Sequence, residues 1–359
     1  MQNEKISKLA GGALATLVIM TNSYSVLPGM ASGGAVAAAH IIASLAALFC
    51  VFCIILVCEK HPDKAFFNAL SSDIGKIPAI IICGIFAVFA ALTCIVSLTV
   101  FSRFVQITAL PRTPQIIIPL LIIITAALSL RRGLTSPSGA AALLIWFSIA
   151  VFLIFSFFGI GNMNAHTLIP DFSESKNLLS GVCEVFLNRF SSISAFAVVY
   201  PRIKPDRFKK SSFLLSVAAA SVALIVISAI TVATLGKTTA ALDFYPVYTT
   251  MSVRGVGGFI QHTEILACIS MAQCLFFKCA VCLAFCEEVL FGIFDVKRGR
   301  GIAIPLALTF ASLTQIIYSD ISSLRGMVEW STGAGIAALF LFLTFPTVAL
   351  LAHIFRRSN

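Results

Sequence analysis

Ten apolar runs decide what this chain can fold into. They cover residues 9–30, 33–58, 77–101, 114–130, 139–160, 178–200, 211–235, 259–291, 302–318 and 332–354. Each is near the roughly 20 residues that an α-helix needs to cross the hydrocarbon core. In lipid every backbone N–H and C=O must be satisfied by the protein itself, so only helices and closed barrels can span. Barrel strands would be shorter and would alternate apolar with polar residues, and these runs do not. The chain is read as an all-α polytopic membrane protein of ten transmembrane helices. Composition agrees: 11% of residues are charged, against roughly 25% in soluble domains. A single transmembrane domain, 1–359, is expected, with the lipid bilayer as its surroundings.

Charge placement gives the orientation. With the N-terminus in the cytoplasm, ten spans return the C-terminus there. Seventeen of the 25 Lys and Arg then lie on the cytoplasmic side, including Lys5, Lys8, Lys60, Lys64, Arg131, Arg132 and the cluster 202–210. Six lie outside (Arg103, Arg112, Lys176, Lys237, Arg254 and Arg325), and Arg189 and Lys278 fall within spans. This bias obeys the positive-inside rule, so both termini are expected to be cytoplasmic. The net charge of +10 is thereby a topology signal. No nucleic-acid role follows, because the basic residues are spread along the chain and form no single patch.

Other signals exclude rather than assign. The basic start, first apolar run and "GMASGGAVAAA" imitate a secretory signal with its cleavage site. Retaining the run keeps the even span count that matches the charge bias. All eleven cysteines fall within or at the edge of spans, as small polarizable packing residues do. His40, His166, His262 and His353 have no metal-ligand spacing, so no metal and no cofactor are expected. There is no P-loop, HExxH or nucleophile elbow, so no enzyme is expected. The link 59–76, "EKHPDKAFFNALSSDIGK", is expected along the cytoplasmic surface. The external link 236–258 is long enough to act as a lid.

Ten spans divide into five and five. Spans 1–5 start inside and spans 6–10 start outside, the arrangement of inverted-repeat transporters. Repeat one covers about 9–160 and repeat two about 178–354. In such proteins the first helix of each half is broken at mid-membrane and holds substrate there. Span 1 carries "MTNSYS" (Met20–Ser25) before "VLPG", and span 6 carries "LNRFSS" (Leu187–Ser192). Both are polar clusters inside apolar helices, at equivalent places in the two halves. Asn and Ser compete for backbone hydrogen bonds and weaken a helix locally. The alternative is that they only bond neighbouring helices.

At this point the chain resembles the endospore germination permeases, the polytopic B subunits of nutrient germinant receptors in the amino acid–polyamine–organocation superfamily. The likeness rests on "CEKHPDKAFFNAL", "SRFVQITALPRTP", "SLRRG", "YPVYTTMSVRGVGGFIQHTEI" and "FFK" (Phe276–Lys278) in that order. It implies ten helices in the LeuT-type fold with helices 1 and 6 broken. It further implies an amino acid-like germinant and a hetero-oligomer with a larger membrane subunit and a lipoprotein in the spore inner membrane. Two departures stand out. The family's span 6 break contains Pro, Gly and a nearby acid, whereas "LNRFSSIS" has none. Its Gly-Ser pair in span 1 is replaced here by Thr21 and Asn22.

The candidate ligand-binding residues are Thr21, Asn22 and Ser23 on one wall and Asn188, Arg189, Ser191 and Ser192 on the other. Arg189 either grips a ligand carboxylate, makes a structural ion pair with Glu184 or Glu264, or snorkels toward an interface. Three roles are open for Lys278. It occupies the place of a coupling cation between spans 1 and 8, bonding span 1 carbonyls, or it makes a structural pair, or it transfers protons. Glu264, Tyr245 and Tyr248 are candidate gate residues, and Glu287 and Glu288 are expected to be solvated. Three functions fit: a germinant-sensing receptor subunit, a secondary transporter of amino acids or other organic solutes, and a scaffold with a degenerate site.

Overall fold

The computed structural model describes residues 5–62, 64–160, 177–252, 263–295 and 302–317. The expected tenth span, 332–354, and the side chain of Glu264 lie outside the described residues. Everything described is helix, turn or short link, apart from one parallel β-bridge between Ile6 and Ile203.

Six helices are long and apolar enough to cross a membrane. They are α2 (Val36–Lys60), α4 (Lys76–Thr108), α6 (Thr135–Ile160), the composite stretch Leu178–Arg202, α9 (Lys209–Leu235) and α12 (Thr263–Phe294). Shorter apolar helices are α1 (Lys8–Ile19), α5 (Ile117–Leu130) and α13 (Ala303–Ile317). These nine fall on the first nine apolar runs. The link 59–76 contains α3 (Phe66–Ile74), which buries Phe66, Phe67, Ala69 and Leu70. Phe67 lies so close to Gly292 of α12 that a Cβ there would come within 2.5 Å of its ring. Gly75, with φ +96°, ends α3 and starts α4. A left-handed residue is the usual device for such a corner.

α4 has 33 residues, about 50 Å of helix, and runs well beyond a hydrocarbon core of roughly 30 Å. Its far part carries Phe104 to the link after α9, where α10 (Lys237–Leu242) and α11 (Pro246–Ser252) lie. α1 has 12 residues, about 18 Å, too short to cross alone. It packs among α6, α9 and α12. The stretch Leu178–Arg202 is the most enclosed span, 89% buried against 28% for α6. The short α1 and the irregular stretch Leu178–Arg202 thus lie inside the bundle, and α6 is among the helices that face outward.

Candidate functional site

Helix α1 stops where the sequence turns polar. After Met20 the chain makes successive tight turns, with Asn22 in the left-handed region at φ 58°. Asn is one of the few non-glycine residues that adopts it readily. Pro28 and Gly29 (φ +96°) follow, then a 3₁₀ turn over Met30–Ala35, and α2 begins at Val36. The second break is different in kind. α7 (Leu178–Val185) passes into a π-helical turn, Phe186–Phe190, then a 3₁₀ turn, Ser191–Ala195, before the short α8 (Phe196–Val199). The side-chain amide of Asn188 donates to Glu184 O at 2.9 Å, and the Ser191 hydroxyl donates to Leu187 O. Both take the carbonyl four residues back, the one an α-helix needs, and this local competition loosens the winding.

Arg189 joins the two breaks. Its Nη1 donates to Thr21 O at 2.9 Å and its Nη2 to Val26 O at 2.7 Å. Those carbonyls lie in the stretch after α1 where helical partners are missing, at the negative end of the α1 dipole. The guanidinium is 4% exposed, and its Nε–H has no partner among the described residues. The side chain thus braces the first break and still has donors unused.

The other candidates divide. Thr21 is satisfied, its hydroxyl donating to Val18 O at 2.9 Å and reaching Cys274 O of α12 at 3.2 Å. Asn188 and Ser191 bond within their own helix. Asn22 Oδ1, Ser23 Oγ and Ser192 Oγ are buried with no partner among the described residues, and so is the Tyr24 hydroxyl. Elsewhere in the bundle, buried hydroxyls such as Thr99, Ser221 and Thr231 bond carbonyls of their own helix. Unpaired buried polar atoms cost stability. Five of the nine on the described residues sit in these two breaks. Tyr24 was missed as a candidate although it lies inside "MTNSYS"; its ring meets Phe155 edge-on at 6.0 Å.

Several expectations change. Glu184 does not pair with Arg189. Its carboxylate accepts from Ala31 N at 3.4 Å and caps the 3₁₀ turn of the first break. Lys278 bonds no span 1 carbonyl among the described residues; its ammonium donates to Ser97 Oγ of α4 at 2.9 Å. The cation on the span 1 carbonyls is Arg189, because the guanidinium projects from the neighbouring break whereas Lys278 points to α4. Nor is Glu288 solvated. It is 7% exposed, pairs with Arg202 at 2.9 Å, and accepts from Phe66 N at 3.2 Å. Tyr245 and Tyr248 pack edge-on against Phe104, at 5.1 and 5.0 Å between centroids.

The opposite end of the bundle is fastened. Ile6 N donates to Arg202 O at 2.8 Å and Lys204 N to Ile6 O at 2.9 Å. Lys8 pairs with Asp206. Tyr200 OH donates to Glu59 Oε1 at 2.6 Å. The chain before α1 is zipped to the chain after α8, so the start of α1 and the end of the second broken helix are held together.

A polytopic helical bundle with two broken central helices, joined through polar backbone, has the architecture of a membrane transporter. Solved structures bear this out at the level of fold. The chain superposes on MhsT, crystallised in complex with L-phenylalanine, with a TM-score of 0.68 and 12% identity over 98% of this chain and 99% of that one. It also superposes on the Eremococcus coleocola manganese transporter, with a TM-score of 0.54 and 15% identity over 96% of this chain and 76% of that one. No curated protein matches the sequence. The profile of the spore permease family, described as spore germination protein, matches residues 36–322, and the chain belongs to that family.

Proposed function

We propose that this protein is the integral membrane subunit of a spore nutrient germinant receptor, with ten helices in a five-plus-five LeuT-type inverted repeat. An amino acid-like germinant binds between the two breaks and triggers germination. One observation carries this reading: Asn22 Oδ1, Ser23 Oγ, Tyr24 OH, Arg189 Nε and Ser192 Oγ are buried and have no partner among the described residues, on segments that Arg189 brings together. An amino acid or related carboxylate offers its anionic group to the guanidinium and its other polar groups to the oxygens. Tyr245 and Tyr248 close the outer end, and the Ile6–Ile203 bridge closes the inner end. The termini and the 201–210 loop are cytoplasmic, and the subunit works in the spore inner membrane beside a larger membrane subunit and a lipoprotein.

Spores carrying Arg189→Gln, with the protein present at normal level, should need a 10–150-fold higher germinant concentration, the equivalent of about 1.5–3 kcal/mol. An unchanged response in such spores sinks the assignment. A cysteine at exposed Ser211 should resist an impermeant reagent applied outside; ready labelling reverses the orientation. The second reading, a secondary transporter of amino acids or other organic solutes, is favoured by the transporter neighbours. Sustained accumulation of labelled amino acid in proteoliposomes would select it.

A further inference from the structure

The charges buried in the bundle do not balance locally. Glu184, Arg189, Lys278 and Glu288 are its buried charged residues among those described. Glu288 is matched by Arg202 at the inner end. Glu184 accepts from the backbone N–H of Ala31 and makes no ion pair among the described residues, so its single charge offsets at most one of the two cations that remain. Neither Arg189 nor Lys278 has a carboxylate within ion-pair distance among the described residues; their bonds go to Thr21 O, Val26 O and Ser97 Oγ.

The two cations also belong to one neighbourhood. Arg189 Nη1 holds Thr21 O, and Thr21 Oγ1 reaches Cys274 O. Lys278 lies four residues further along α12 on the same face, about 6 Å of rise away. Two like charges in a low-dielectric interior repel each other. Carbonyl and hydroxyl dipoles solvate a cation without neutralising it. In a low-dielectric interior a net positive centre is costly unless an anion joins it.

We infer that the Arg189–Lys278 pair makes the site select a ligand of net negative charge, a carboxylate lacking a balancing ammonium, over the zwitterion of the same shape. This rests on the binding site proposed above and narrows its ligand class. A carboxylate approaching the Arg189 Nε–H lowers the excess of positive charge by one, and Asn22, Ser23, Tyr24 and Ser192 suit a hydroxyl or second oxygen beside it. A zwitterion would bring its own carboxylate together with a third positive charge, and so would leave the excess as it was.

The test uses the full-length purified protein in lipid nanodiscs, read by thermal shift and by equilibrium binding. Two matched series differ only in head-group charge: L-lactate, L-alanine and L-alaninamide; then L-3-phenyllactate, L-phenylalanine and L-phenylalaninamide. Nitrate serves as a planar anion free of any size requirement. The hydroxy acid should bind at least about tenfold more tightly than the amino acid of its series, and the amide should bind weakest. An amino acid that binds as tightly as its hydroxy acid, or an amide that binds best, overturns the charge selection while leaving the binding site in place. Binding of nitrate alone supports the charge selection and removes the amino acid-like ligand. No shift with any probe, nitrate included, overturns it.

Lys278→Met supplies a second measurement. An apolar side chain of similar length replaces a buried charge held by one hydroxyl, so the melting temperature should hold or rise. In this variant the preference for the hydroxy acid should shrink to a few-fold, whereas Lys278→Arg should retain it. An unchanged preference in Lys278→Met removes Lys278 from the selection.

Discussion

The two broken helices reach similar ends by different physics. In the first, the backbone itself forbids an α-helix. Asn22 and Gly29 have positive φ and Pro28 lacks an N–H, and no α-helix resumes before Val36. In the second, no Pro or Gly occurs between Val182 and Tyr200, and the chain stays helical throughout. It changes pitch instead, wide over Phe186–Phe190 and tight over Ser191–Ala195. There the cause is competition from side chains, Asn188 and Ser191 on carbonyls of their own helix and Arg189 reaching across to the first. The first break is local in origin. The second depends on its neighbours.

Arg189 is where the two breaks depend on each other, so its loss should have the largest effect. Arg189→Gln orphans at least one of two carbonyls, the buried Thr21 O or the half-buried Val26 O, and should cost about 1–3 kcal/mol of stability, besides its effect on ligand response. Arg189→Lys should restore part of both, because a point charge cannot hold Thr21 O and Val26 O as the planar fork does. Equal melting temperatures for wild type and Arg189→Gln would show that each break stands by itself.

Gly29→Ala comes next. A left-handed alanine costs about 1–2 kcal/mol, and its Cβ would stand 2.9 Å from Val185 Cγ2. Thermal unfolding should register this even with Arg189 intact, as a locally determined break requires. A fully tolerated alanine would show that the first break is also imposed from outside.

Smaller effects should follow in the second break. Asn188→Ala releases Glu184 O to the backbone, so a gained backbone bond offsets the lost side-chain bond. Stability should change by less than about 1 kcal/mol, while amide exchange over 186–192 slows as the turn rewinds. Faster exchange there would contradict the competition argument. Ser192→Ala removes a hydroxyl with no partner among the described residues and should leave the melting temperature alone while weakening ligand binding.

The smallest effect is expected at the exposed Lys8–Asp206 pair. The hydrogen bond from Lys8 holds the Asp206 carboxyl below its ordinary value. Its contribution is therefore present above the ordinary carboxylate range and lost as pH falls through the lowered value. Solvent screening keeps it slight. Asp206→Asn should not measurably shift the melting temperature at neutral pH, and a large loss there would mean that the ion pair rather than the Ile6–Ile203 bridge fastens the inner ends.

Much of the fold was legible in the sequence. Apolar runs report lipid directly, since a 20-residue stretch without charge has few other uses, and nine of the ten expected runs coincide with apolar helices. The polar clusters also showed where helices fail, because Asn, Pro, Gly and Ser act on the backbone within a few residues of themselves. Partner choice was hidden. From the chain alone, Arg189 could equally face Glu184, Glu264 or a ligand, and Lys278 could face span 1. Glu288 read as a solvated residue at a helix end. A long side chain reaches whatever packing brings within about 6 Å, and neighbours there are 86 to 181 positions away in sequence: Arg189 on Thr21 and Val26, Lys278 on Ser97, Arg202 on Glu288. The sequence by itself determined that the chain spans a membrane and marked the two places where helices could break. Only the tertiary structure decided which cation braces which break, because hydrogen bonds select by distance and direction in space and not by separation along the chain.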